Sequence, residues 1–132
     1  DKTVMLYFQE GVGCQPCWDQ VTQIEADFAP FRELGIDELV TITVDSVDIL
    51  AQKVGDEGIS SVTLADPDLS LGPSYNANQY GMIGTSTYGH SFIVVGPDGR
   101  IRWRADYGGD PDYTMFVGVD ALLDDLRAGL AG

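Results

Sequence analysis

Val4-Met5-Leu6-Tyr7-Phe8-Gln9-Glu10-Gly11-Val12-Gly13-Cys14-Gln15-Pro16-Cys17-Trp18 is the stretch that decides the fold. The β-branched and aromatic residues over 3–8 predict a strand covered on both faces. Gly11 and Gly13 then break it. From Cys14 onward a helical period begins, with Cys17 or Trp18, Val21, Ile24, Phe28 and Phe31 spaced by three or four. Pro16 suits an early helical position, where its missing N–H costs nothing. Pro30 predicts a kink or an end near Ala29, and Gly35 is the latest end of this helix. Two cysteines are thereby placed on the first turn of a helix that follows a buried strand.

Working outward, Leu39–Val44 predicts a second strand, and Asp45 or Ser46 caps a helix with Val47, Leu50 and Val54 on one side, closed by Gly55 and Gly58. Val62–Ala65 predicts a short strand, and 69–80 a weaker helix with Leu71, Tyr75 and Tyr80 inward. Ser91–Val95, the Gly96-Pro97-Asp98-Gly99 turn and the alternating Arg100–Arg104 predict a β-hairpin with an outer edge strand. Residues 106–113 read as a loop. A last helix over 114–130 buries Val119, Leu122, Leu123, Leu126 and Leu130. Early alternation of strand and helix favours parallel pairing, and the hairpin adds antiparallel strands. One α/β domain over 1–132, with a mixed central sheet flanked by helices, follows.

The totals exclude several functions. The 132 residues carry 44% apolar side chains, and no run approaches the roughly 18–20 apolar residues that cross a bilayer. Seven basic against 21 acidic residues give a net charge of -14, which repels nucleic acid and anionic lipid. No signal peptide precedes Val4, so processing upstream of Asp1 is expected.

The only cysteines are Cys14 and Cys17, separated by two residues. So short a loop restricts the unfolded chain little, so the pair reads as chemistry rather than as a staple. A closed zinc site needs more ligands than this pair and His90, the single histidine. At a helix N-terminus, exposed N–H groups stabilise a Cys14 thiolate. Cys17, one turn later, reaches back to the same sulfur. Cys14 is therefore the attacking sulfur and Cys17 its resolver.

These residues resemble the thioredoxin-like superfamily, especially its TlpA-like and redoxin (AhpC/TSA-type) branches. The likeness rests on Val4–Phe8 before Cys14-Gln15-Pro16-Cys17, the Thr41–Asp45 strand, and Ser91–Val95 followed by Pro97-Asp98-Gly99 and Arg100–Arg104. It implies a thioredoxin-like fold and a thiol–disulfide oxidoreductase without a cofactor. It further implies a protein thiol or disulfide partner, a monomer, and an extracytoplasmic or periplasmic location compatible with a membrane tether elsewhere. The sequence departs from the family where Gly13 stands beside Cys14, and where Phe8 lies six positions ahead of it rather than five. It also lacks a strand or hairpin upstream of Val4. The usual cis-proline position falls near Gly89, with no proline from Ser74 to Gly96. A trans bond is expected there. In peroxiredoxin relatives a threonine stands three residues before the reactive cysteine and a distant arginine helps polarise peroxide. Here that position is Gly11, and the region near Gly89 and His90 offers no arginine, so a thiol peroxidase is the lesser alternative.

His90 has three readings: a locally bonded pre-strand residue, a group that stabilises or deprotonates the Cys14 thiol, or a metal ligand. A weaker likeness to Sco-type copper chaperones, carried by His90-Ser91 before the strand and its Asp-Gly turn, implies copper held by Cys14, Cys17 and His90. Glu10 is a candidate proton-transfer group, more simply a solvated one. Gln15, Pro16, Tyr88 and Gly89 complete the candidate substrate loop, with Trp18, Tyr75 and Met82 as lesser candidates.

Overall fold

A computed structural model describes residues 2–66, 90–108 and 116–131. The expected helix over 69–80, with Tyr75, Tyr80, Met82, Tyr88 and Gly89, lies outside them. In chain order the elements are β1 (Val4–Phe8), α1 (Gln15–Ala26), α2 (Ala29–Glu33), β2 (Glu38–Thr43), α3 (Val47–Glu57), β3 (Val62–Ala65), β4 (Ser91–Val95), β5 (Ile101–Asp106) and α4 (Val119–Ala131). Among the described residues no helix is long and apolar enough to cross a membrane.

The sheet order is β3-β2-β1-β4-β5. β1 pairs in parallel with β2, which pairs in parallel with β3, while β4 runs antiparallel to β1 and to β5. β1 is therefore central, as its double-sided apolar pattern requires. Met5 and Tyr7 face one cluster with Trp18, Val21 and Ile24 of α1 and Leu122 and Leu126 of α4. Phe8 faces the other way, with Ile42 and Ile93. Each such side chain, fully buried, contributes about 1.5–3 kcal/mol.

The expected first helix is two. α1 stops at Ala26, Asp27 turns extended, and Pro30 sits in the first turn of α2, where its ring is tolerated. Glu25 fastens α1 to the start of β3 through Ser60 and Ser61, whose backbone N–H groups and hydroxyls all reach its carboxylate. Ser46, rather than Asp45, caps α3, and Gly58 ends it at φ 68°. Val47, the first residue of the helix, does not join Leu50 inside; it is 68% exposed.

Two boundaries also move. β5 continues to Asp106, which the loop reading excluded, because Asp106 pairs with Ser91 and accepts from the Ser91 hydroxyl at 2.7 Å. The last helix begins at Val119 instead of 114. Buried Gln20 holds Val117 outside it, donating to the Val117 carbonyl at 2.8 Å and accepting from its N–H at 2.6 Å.

Candidate active site

Cys14 and Cys17 are joined as a disulfide with Cα atoms 5.4 Å apart. Cys14 occupies the N-cap of α1 and Pro16 its first turn. Cys14 is half-buried, whereas Cys17 is wholly buried. Gln15 and Pro16 are exposed on either side of that turn. The pair lies just past the C-terminal end of β1, so one sulfur meets solvent and the other meets the core.

The loop that delivers Cys14 is held from beneath. Cys14 N–H donates to the Gly11 carbonyl at 3.0 Å, and the Trp18 indole donates to the same oxygen at 3.0 Å. Asp45 accepts from Val12 N–H and from the Thr43 hydroxyl, both at 2.9 Å. Gly11 has φ 108°, and a Cβ there would stand 2.6 Å from Asp45 Oδ2. Glycine is thus required twice, by backbone conformation and by space. Asp45 was legible only as a helix cap; its role as a loop brace depends on the parallel β1–β2 pairing.

Tyr7 joins the site from β1. Its hydroxyl lies 3.2 Å from the Cys17 carbonyl and 3.0 Å from His90 Nδ1. A carbonyl only accepts, so the arrangement that satisfies both contacts has Tyr7 donating to Cys17 and His90 Nδ1–H donating to Tyr7. Burial, and then the charge of Glu10, push the Tyr7 hydroxyl well above its usual pKa of 10, so it stays a donor. Glu10 itself is half-buried.

His90 is fully buried and edge-on to Tyr7, Phe92 and Tyr107, and among the described residues its Nε2 has no hydrogen-bond partner. Burial lowers its pKa from 6.5 to about 3. In this disulfide state it is therefore neutral at pH 7. In this state Cys14, Cys17 and His90 are not grouped as metal ligands. Among the described residues no group of three or more His, Cys, Asp or Glu is placed to hold a metal ion. In this disulfide state each sulfur is bonded to the other, and His90 Nδ1 is turned onto Tyr7. Trp18 is wholly buried in the core.

Gln15 ties the cysteine turn to α3. It accepts from Lys53 Nζ at 2.8 Å and donates to Asp19 at 3.1 Å and Glu57 at 3.2 Å, while Lys53 and Glu57 pair at 3.3 Å. No periodicity in the sequence pointed to Lys53 as part of this region.

A mixed sheet whose central strand leads into a helix capped by a Cys-x-x-Cys disulfide defines a redoxin of the thioredoxin-like class. The chain belongs to the AhpC/TSA family, whose sequence profile residues 1–104 match. Peroxidoxin BcpB from Mycobacterium tuberculosis is similar in fold, with a TM-score of 0.72 at 18% identity, over 96% of this chain and 79% of that one. The reduced 2-Cys peroxiredoxin of Plasmodium vivax gives 0.73 at 22%, over 96% and 76%. AhpC of Enterococcus faecalis gives 0.74 at 19%, over 96% and 74%. No curated protein matches the sequence.

Proposed function

We propose that this protein is a thiol–disulfide oxidoreductase that exchanges its Cys14–Cys17 dithiol with the disulfide of a protein partner. One observation carries this reading: the disulfide spans a helix N-terminus with Cys14 half-exposed and Cys17 buried behind it. In the reduced protein the helix end stabilises a Cys14 thiolate. That thiolate attacks one sulfur of the partner disulfide and expels the other as a thiolate, which takes up a proton. Cys17 then loses its proton and attacks Cys14, forming the intramolecular disulfide and releasing the second partner thiol. Two electrons pass from the cysteine pair to the partner. The reverse sequence oxidises a partner dithiol by the same bonds.

Peroxidase chemistry is the competing function within the family. Gly11 weighs against it. The position three residues before Cys14 has a φ that a β-branched residue tolerates poorly, and Asp45 fills the space where its Cβ would stand. A threonine cannot present its hydroxyl from this loop without displacing the brace.

Cys17→Ser supplies the test. Reduced C17S incubated with a model disulfide should accumulate a mixed disulfide on Cys14, seen as a mass increase that dithiothreitol reverses, whereas Cys14→Ser should stay unmodified. Reduced wild-type protein should react faster with the disulfide than with hydrogen peroxide. A clear preference for peroxide, with sulfenic acid accumulating on Cys14 of C17S, would overturn the proposal in favour of the peroxidase.

A further inference from the structure

The charge around the cysteine pair is one-sided. There are seven basic residues, and residues 67–89 and 109–115 contain none. Lys2 bonds Glu38 at the start of β2, and Arg32 lies over Phe28. Arg100 and Arg102 flank the 96–99 turn, where Arg102 packs on Gly96. The pairing of Val95 with Val4 puts that turn beside the N-terminal end of β1. Arg104 is paired with Asp106, and Arg127 with Asp124 on α4. β1 is about 13 Å long, more than the screening length of about 8 Å at physiological salt. Cations at its far end are therefore masked from a partner at Cys14.

At the cysteine end the balance is acidic. Asp19 and Glu57 bond the Gln15 side chain, between the two cysteines. Asp45 bonds Val12, two residues before Cys14. Glu10 is close enough to act on Tyr7, whose hydroxyl touches Cys17. Lys53 bonds this cluster from α3, and Glu57 shares its charge. Four carboxylates against one ammonium leave a net charge of about -3.

We propose that the disulfide exchanging with Cys14 belongs to a cationic partner, a polypeptide bearing lysine or arginine beside its reactive cysteine, and not to an anionic small disulfide. This rests on the exchange reading above and adds the partner's charge. A reactive disulfide has to bring its own flanking groups to Cys14 in the transition state, so the local field enters the rate directly. A unit charge about 9 Å from this net charge gives about a fivefold difference between cation and anion at 0.15 M salt, and about twentyfold at 20 mM.

The experiment uses the reduced wild-type protein and three probes: cystamine, dicationic; 2-hydroxyethyl disulfide, neutral; and oxidised glutathione, anionic. Each rate is divided by that of free dithiothreitol with the same probe, which removes intrinsic leaving-group differences. The normalised rates should fall in the order cystamine, neutral probe, glutathione, and the spread should shrink as salt rises. Asp19→Asn and Glu57→Gln should each narrow it. Equal normalised rates at both salt concentrations, or the reverse order, would overturn the charge inference and leave exchange standing. No reaction with any probe would overturn the exchange reading and this inference together.

Discussion

His90 makes acid stability a direct test of the site's architecture. The ring is wholly buried, has a pKa of about 3 where a free histidine has 6.5, and so stays neutral in the folded protein. Once unfolded, it takes a proton near pH 6.5. The unfolded state therefore binds more protons across pH 3–6.5, and stability rises with pH over that window. This contribution is fully present above 6.5 and is lost as pH falls towards 3. At pH 4 the two values imply a loss of about 3 kcal/mol, accruing at about 1.4 kcal/mol per pH unit. The assay is urea unfolding of the oxidised protein at pH 7, 6, 5 and 4, beside His90→Phe. Tyr7 keeps its bond to the Cys17 carbonyl in that variant, and the 21 acidic residues titrate in both proteins. The difference in unfolding free energy between wild type and variant isolates His90 and should close by about 3 kcal/mol between pH 7 and 4. Because His90 is the only histidine, its ring resonance can be followed directly and should show no midpoint above pH 5. Parallel stability curves, or a midpoint near 6.5, would refute the burial argument.

Three further outcomes follow from the packing. Gly11→Ala should cost about 1–3 kcal/mol in denaturant unfolding, since it sets a Cβ at positive φ against Asp45; an unchanged midpoint would mean the loop is not braced. Gly129→Ala places a methyl in the Trp103 ring and should cost about 1–3 kcal/mol, with a shift in tryptophan fluorescence. Gln20→Ala strands the N–H and C=O of Val117 and should cost at least about 1–3 kcal/mol, with faster amide exchange at Val117.

Much of this was legible along the chain. The apolar run of 4–8 and the Pro97-Asp98-Gly99 turn are local signals, and the hairpin forms where they placed it, with Gly96 N–H bonding the Arg100 carbonyl at 2.9 Å. Helix ends were less legible because side chains from elsewhere set them. Gln20 keeps Val117 out of α4, although the sequence continues its helical pattern upstream. Val47 matched the inward period of α3 and is exposed all the same. Periodicity assigns a face, but how deeply each residue of that face is covered is a tertiary fact.

The sequence by itself determined the cysteine pair, its place at a helix N-terminus and the acidic net charge of the chain, because spacing, helix polarity and residue counts are properties of the chain. Only the tertiary structure decided what His90 does. Antiparallel pairing sets Tyr7 opposite Phe92, and His90, two residues earlier and just ahead of β4, falls on the same face. The imidazole is thus delivered to a tyrosine 83 residues away in sequence. Burial there leaves it neutral, linked to the Cys17 carbonyl through the Tyr7 hydroxyl.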